Sequence, residues 1–252
     1  MSENTIQFFK IQLAGLNIEI ECNYKVILAK CSNYLTSFDQ PDFVVGASME
    51  EIKSARPYFP DIDNHDPRIA IRYTDEYIEP NIVFEKIAKK MISYNTLLMH
   101  GAVVATDNSA YMFTAAKGVG KTTRARIWLN EYPESMVING DKPFIKITSD
   151  SAIACGSPWC GKEGWNTNVM VPLSAIFLLE RSTDNHKNSI EEISIGDAFP
   201  TLLKQTYLPE DRNDLLKTIR LISSLGEKVR LFKFQSTPTP EAIHLAFEAA
   251  CQ

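Results

Sequence analysis

The chain has 252 residues, of which 44% are hydrophobic and 10% aromatic, and this apolar content argues against a disordered or fibrous protein. Lys and Arg total 26 against 31 Asp and Glu, and the formal charge of −5 argues against non-specific binding to nucleic acid or an anionic membrane. No apolar run approaches the roughly 20 residues that span a bilayer. The opening Met-Ser-Glu-Asn-Thr carries an acid where a signal peptide carries basic residues, so a cytoplasmic location is expected.

Residues 1–95 are predicted to form a β-rich region that ends in a connecting helix. Residues 7–23 alternate apolar and polar residues on either side of Ala14-Gly15, a pattern typical of a β-hairpin. Residues 38–79 show no sustained period, and short strands and loops are expected there. Apolar residues recur at helical spacing from Asn81 to Tyr94, which indicates the connecting helix.

Residues 96–252 are predicted to form an α/β domain. Residues 96–106 are nearly continuously apolar, as in a strand buried on both faces. A turn at 107–109 and a second buried strand at 110–115 follow. Further strands are expected at 135–140, 143–147, 151–155, 172–181 and 229–234, and helices at 121–130, 195–207, 211–224 and 239–250.

The sharpest motif is Ala-Ala-Lys-Gly-Val-Gly-Lys-Thr at residues 115–122, between a predicted strand and a predicted helix. A phosphate-binding loop needs glycine where backbone amides must turn toward phosphate oxygens, and Gly118 and Gly120 meet that need. Lys121 would contact the β- and γ-phosphates, Thr122 would contact Mg²⁺, and the helix start would add its positive dipole end. The residues predicted to bind ATP are Ala116, Lys117, Gly118, Val119, Gly120, Lys121, Thr122 and Thr123. A glycine-rich turn with an incidental Lys-Thr pair is the other interpretation, because Ala115 replaces the motif's first glycine.

A carboxylate that could share the metal with Thr122 follows the strand at 135–140. Asp141 lies at the tip of that strand, where P-loop proteins place a magnesium ligand. The alternative is an aspartate that only caps a turn. Cys155 and Cys160 lack two further ligands at zinc-site spacing, so buried thiols are expected instead of a metal site.

The order of these motifs resembles the catalytic domain of HPr kinase/phosphorylase and its relatives, whose P-loop is of the ATP-dependent phosphoenolpyruvate carboxykinase type. The similarity covers about residues 96–250 and includes a His-Gly strand at His100-Gly101, the P-loop, the acidic motif at Asp141, and the Gly-Ser-Pro-Trp-Cys-Gly segment at 156–161. It implies an α/β fold with a P-loop core of that type, a mixed sheet flanked by helices, and a smaller β-rich N-terminal region. Because the family's kinases assemble as oligomers, a homo-oligomer is also an expectation.

The resemblance implies an ATP- and Mg²⁺-dependent kinase that transfers γ-phosphate to a hydroxyl, with a serine of a protein or peptide as the acceptor. Asp141, Lys121 and His100 are the predicted catalytic residues, and Lys162 and Glu163 are predicted to face the acceptor. His100 could instead be a core histidine, and Lys162-Glu163 a solvated turn. The family's paired aspartates correspond here to the single Asp141, so a second carboxylate must come from elsewhere or Asp141 must act alone. The missing second aspartate makes a non-catalytic nucleotide-binding regulator an alternative. A small-metabolite kinase of the same fold is another, and HPr itself is not the expected substrate.

Overall fold

The computed structural model describes residues 6–59, 73–181 and 188–251. The chain divides into two compact units, Met1–Ala88 and Lys89–Gln252. The domain boundary predicted between residues 95 and 96 stays a prediction. Within the described ranges, no helix has the length and apolar character needed to cross a bilayer.

The first unit contains a three-stranded sheet in the order β1 (Gln7–Leu13), β2 (Leu16–Cys22) and β3 (Phe43–Gly46). β1 and β2 pair antiparallel, and Ala14 and Gly15 connect them with φ values of 52° and 75°. Two left-handed residues in a two-residue turn match the right-handed twist of a hairpin. The predicted hairpin is therefore confirmed.

Among the residues of this unit that the structure describes, three α-helices accompany the sheet: α1 (Lys25–Lys30), α2 (Met49–Ala55) and α3 (Asp75–Ser93), which continues past Ala88. The expectation of only short strands and loops over 38–79 is wrong at α2. A capping box starts this helix, because Ser48 and Glu51 exchange backbone and side-chain hydrogen bonds of 3.2 and 2.8 Å. The Ser-x-x-Glu spacing was a signal available in the sequence. α3 begins at Asp75 and not at Asn81, and part of the predicted loop lies outside the described residues.

The second unit is built on a nine-stranded mixed sheet, in which β10 runs parallel to β6 and β12 and the remaining pairs are antiparallel. The strand order is β4-β8-β9-β10-β6-β5-β7, and β12 pairs with β10 and β11. The strands are β4 (Thr96–Leu98), β5 (Gly101–Thr106), β6 (Ser109–Thr114), β7 (Met136–Asn139), β8 (Phe144–Ile147), β9 (Ala152–Cys155), β10 (Met170–Arg181), β11 (Ser189–Glu192) and β12 (Arg230–Ser236). β11 was not predicted, and the single strand predicted over 96–106 corresponds to β4 and β5 together; the other six strands were predicted.

Helices pack on both faces of this sheet. They are α4 (Lys121–Glu131), α5 (Ile195–Lys204), α6 (Arg212–Leu225) and α7 (Pro240–Cys251). On one face, α4 and α7 enclose an aromatic core that includes Trp128 and Phe177. On the other face, α5 and α6 cover an aliphatic core that includes Met112 and Ile176. The coarse prediction of a mixed sheet flanked by helices, with a smaller N-terminal sheet, is confirmed.

The strand predicted over 96–106 is in fact two strands. β4 pairs with β8, whereas β5 pairs with β6 and β7, so the chain must change partners at Met99 and His100. Because β6 and β7 both run antiparallel to β5, their carboxyl ends meet where β5 begins. Gly101 pairs with Thr114 at the end of β6, and its N–H donates to the carbonyl of Asp141 over 2.9 Å just after β7. The break therefore places His100 beside both strand ends.

Candidate functional site

The candidate phosphate loop, residues 115–122, joins the end of β6 to the first turn of α4. Gly118 and Gly120 have φ values of +83° and +105°, which L side chains rarely adopt. A methyl group at Gly120 would also collide with Nη1 of Arg124. The backbone conformation therefore favours glycine at both positions, and the close packing of Arg124 favours glycine at position 120 as well.

Lys121 is the first residue of α4 and is only 8% exposed. Its Nζ donates to the carbonyls of Ala115 at 2.9 Å and Ala116 at 3.4 Å. Burial lowers the pKa of Lys121, and the nearby charge of Asp141 opposes that shift. The ammonium is therefore held inside the curve of the loop, next to the cavity that the loop lines.

Asp141 stands in a turn that Asn139 caps. The Asn139 Oδ1 accepts hydrogen bonds from the N–H groups of Asp141 at 2.8 Å and Lys142 at 2.6 Å. Its Nδ2 donates to the carbonyl of Ser157 at 2.9 Å. Because the Asn139 side chain already accepts from the N–H groups of the turn, the Asp141 carboxylate is not needed as a cap, and it lines the cavity instead.

His100 and Asp141 form a contact pair at the edge of the sheet. The His100 Nε2 lies 3.3 Å from Asp141 Oδ1, and Nδ1 lies 3.0 Å from Oε1 of Gln205. The hydrogen bond from His100 lowers the pKa of Asp141, burial opposes this shift, and the charges of His100, Lys142 and Lys121 add to it. Asp141 is therefore ionised at neutral pH. Gln205, just after α5, could not be found from the sequence because no motif accompanies it.

A loop between β9 and β10 carries Gly161, Lys162 and Glu163 to the cavity. This loop is attached beside β7, since the Gly140 N–H donates to the carbonyl of Trp165 over 2.9 Å. The Glu163 side chain is 18% exposed and that of Lys162 is 91% exposed. A methyl group at Gly161 would approach both Asp141 Cβ, at 3.1 Å, and Glu163 Oε2, at 3.7 Å. Two carboxylates thus flank the same glycine.

These elements enclose a cavity of about 540 Å³. Its lining includes ten predicted residues: His100, Lys117, Gly118, Gly120, Lys121, Thr122, Thr123, Asp141, Lys162 and Glu163. Two predicted residues do not line it. Ala116 is exposed beside it and contributes a carbonyl to Lys121, whereas Val119 packs against the aromatic core.

The cavity also has lining residues that sequence reasoning did not select. Gly140, Gly161 and Arg126 are among them, and the Arg126 guanidinium lies over the ring of Trp165 at 5.4 Å. Arg181, the last residue of β10, donates to the carbonyl of Gly118 over 3.2 Å. Only its position at the end of a strand parallel to β6 could have suggested this contact.

The residues present fit Mg²⁺ shared with phosphate oxygens. Mg²⁺ takes oxygen ligands, and proteins hold it through one or two carboxylates while phosphates and waters complete the shell. The cavity offers the hydroxyl of Thr122 and the carboxylates of Asp141 and Glu163. In the described part of the chain, no cluster of three or more His, Cys, Asp or Glu side chains could hold a metal alone.

Comparisons with known proteins give little support of their own. No protein-family model and no curated protein matches the chain. Among solved structures, the HPr(Ser) kinase/phosphatase from Coxiella burnetii is similar at 11% identity and a TM-score of 0.29, over 50% of this chain and 93% of that chain. A TM-score this low carries no argument, so the function must be inferred from the site.

Proposed function

We propose that this chain is an ATP- and Mg²⁺-dependent kinase that transfers γ-phosphate to a hydroxyl group, with a serine of a protein or peptide as acceptor. The catalytic domain would be residues 96–252, with a P-loop core of the HPr kinase and phosphoenolpyruvate carboxykinase type. One observation supports this most strongly: a single cavity contains the loop around Lys121 together with the Asp141–His100 pair.

The reaction follows from what these groups can do. The acceptor oxygen attacks the γ-phosphorus, the bond from that phosphorus to the β–γ bridging oxygen breaks, and ADP leaves. Asp141 is ionised at neutral pH, as the hydrogen bond from His100 holds its pKa below the usual range, and it accepts the proton of the acceptor hydroxyl. His100 holds Asp141 in place, and Lys121 with the loop amides neutralises the phosphate oxygens. Such catalysis is positioning combined with electrostatic stabilisation.

Thr122 and Asp141 would hold Mg²⁺, which when bound neutralises charge on the β- and γ-phosphate oxygens. The family that the sequence resembles has two adjacent aspartates, and this chain has only Asp141 in that motif. We assign the second carboxylate to Glu163, because it lines the same cavity and approaches the same glycine as Asp141. That assignment favours an enzyme over a non-catalytic nucleotide-binding protein.

A macromolecular acceptor is supported by the rim of the cavity. Lys117, Arg126 and Lys162 line it and are all exposed. A protein segment could therefore reach these cations, whereas a small-metabolite kinase typically encloses its substrate.

The test is incubation with γ-labelled ATP and Mg²⁺ in host lysate, followed by identification of the labelled species. Lys121→Ala and Asp141→Asn should each lower labelling by about 100-fold or more. Lys90→Ala and Asp150→Asn, which change exposed side chains outside the cavity, should label as wild type does.

Each alternative predicts a different result. Equal labelling by all five proteins would refute the assignment. A labelled small molecule would indicate the metabolite kinase, and ATP binding without turnover would indicate the regulator. Full activity in Asp141→Asn alone would place the base elsewhere, and Glu163→Gln would then be the next variant.

A further inference from the structure

The phosphate loop is held by three cationic side chains that donate to its carbonyl oxygens. Lys121 is the first residue of α4, and Arg124 lies one turn further along the same helix. Arg181 is the last residue of β10. The bonded carbonyls are those of Ala115 and Ala116 for Lys121, Gly118 for Arg181, and Val119 and Gly120 for Arg124. A trans peptide directs its N–H opposite to its carbonyl. Cations that bind the carbonyls therefore leave the N–H groups free for an anion.

Arg124 differs from the other two cations because it is buried without a counter-charge. It is 4% exposed, and its Nη2 donates to the carbonyl and hydroxyl of Ser236 at 2.6 and 3.2 Å. In the described residues, no carboxylate lies within 4.0 Å of it, and its buried Nε has no hydrogen-bond partner. Burial lowers the pKa of the guanidinium. A buried charge that meets only neutral oxygens is costly unless another charge balances it.

The position of this charge identifies what could balance it. The guanidinium packs so closely against Gly120 that a methyl group there would collide with Nη1, and Gly120 lines the cavity. Only the backbone of the loop therefore separates the cation from the space proposed for phosphate. Coulomb interactions are strong over such a distance when water is excluded.

We propose that Arg124 is a further polyphosphate-binding residue, acting from behind the loop, and that the phosphate chain of the bound nucleotide is its counter-charge. Arg124 also acts as a positioning residue, since it fixes the carbonyls of Val119 and Gly120. This inference rests on the proposed function. The competing interpretation is a purely structural brace between α4 and β12, for which the charge is irrelevant.

Titration calorimetry with inorganic tripolyphosphate separates these interpretations. Arg124→Gln removes the charge, Arg124→Lys keeps it but removes the forked geometry, and Ser236→Ala loosens the arginine without changing any charge. We expect Arg124→Gln to bind at least about tenfold more weakly than wild type. Arg124→Lys should stay within about threefold and Ser236→Ala within about twofold.

Other outcomes would overturn the inference. Equal losses of tripolyphosphate affinity in Arg124→Gln and Arg124→Lys would show that Arg124 is a structural brace. Wild-type affinity in Arg124→Gln would show that its charge does not contribute to phosphate binding. If thermal unfolding shows that Arg124→Gln does not fold, Arg124→Lys decides: a loss as large as that of Lys121→Ala refutes the inference. A wild-type protein that binds neither tripolyphosphate nor ATP would refute the proposed function itself, whereas normal wild-type binding with an unaffected Arg124→Gln refutes only this step.

Discussion

Replacing Gly120 with alanine should destabilise the protein much more than replacing Gly118, although both glycines have a positive φ. At Gly118, with φ +83°, a methyl group would meet no atom within 4 Å. Only backbone strain remains, about 1–2 kcal/mol, and the lower entropy of the unfolded alanine chain offsets part of it. The net loss at Gly118 should be about 1 kcal/mol or less.

At Gly120, φ is +105° and the methyl group would displace Nη1 of Arg124. Arg124 cannot move cheaply, because its guanidinium is buried and donates to Val119 at 2.9 Å and to Ser236 at 2.6 Å. A lost hydrogen bond to a charged group costs about 1.5–3 kcal/mol. Gly120→Ala should therefore lower the free energy of unfolding by about 2 kcal/mol more than Gly118→Ala.

Urea unfolding of both variants measures the difference, and a double-mutant cycle with Arg124→Ala tests its cause. In the Arg124→Ala background the space beside Gly120 is open, so the extra cost of Gly120→Ala should largely disappear. Equal destabilisation by the two glycine variants would refute this reasoning. So would a cycle in which the costs of Gly120→Ala and Arg124→Ala simply add.

Two further predictions concern other parts of the molecule. Glu79 is fully buried and accepts hydrogen bonds from the N–H of Asn23 at 2.6 Å and of Tyr24 at 3.0 Å, so it anchors the start of α1. Glu79→Gln should lower the free energy of unfolding by about 1–3 kcal/mol in urea, whereas the exposed Glu76→Gln should not; equal effects would contradict this. Burial raises the pKa of the Cys155 thiol from 9.0 to about 12. The stabilisation that the protonated Cys155 thiol contributes to the folded state is complete below pH 9 and declines as the pH rises toward 12. The reason is that the thiol loses its proton at a lower pH in the unfolded chain than in the folded protein. Cys155→Ala should therefore lose less stability than wild type over that window, by about 1.4 kcal/mol per pH unit, and identical slopes would show that the thiol is not shielded.

Much of the candidate site was visible before the fold was known. The glycines and Lys121 of the loop form a contiguous motif whose strand and helix neighbours are also local. Asp141 could be selected because it directly follows a predicted strand. Such features depend on residues close together in the chain, so composition and spacing are enough to identify them.

Other parts of the site could not be predicted from patterns of neighbouring residues in the sequence. The apolar run over 96–106 carries no sign that it divides at His100, because the break exists only to change strand partners from β8 to β6 and β7. Arg124 and Arg126 have similar local surroundings, yet the first is 4% exposed and bonded to Ser236, and the second lines the cavity.

The amino-acid sequence alone thus determined the candidate phosphate loop, the carboxylate that follows β7, the hairpin at Ala14-Gly15 and most strands and helices, since each is encoded by neighbouring residues. The folded chain was needed to show that His100 lies between Asp141 and Gln205, that Glu163 lines the same cavity, and that Arg124 is buried behind Gly120. These contacts join residues on different strands, helices and loops. Strand order and the packing of helices on the sheet create them, and neither property has a local signal in the chain.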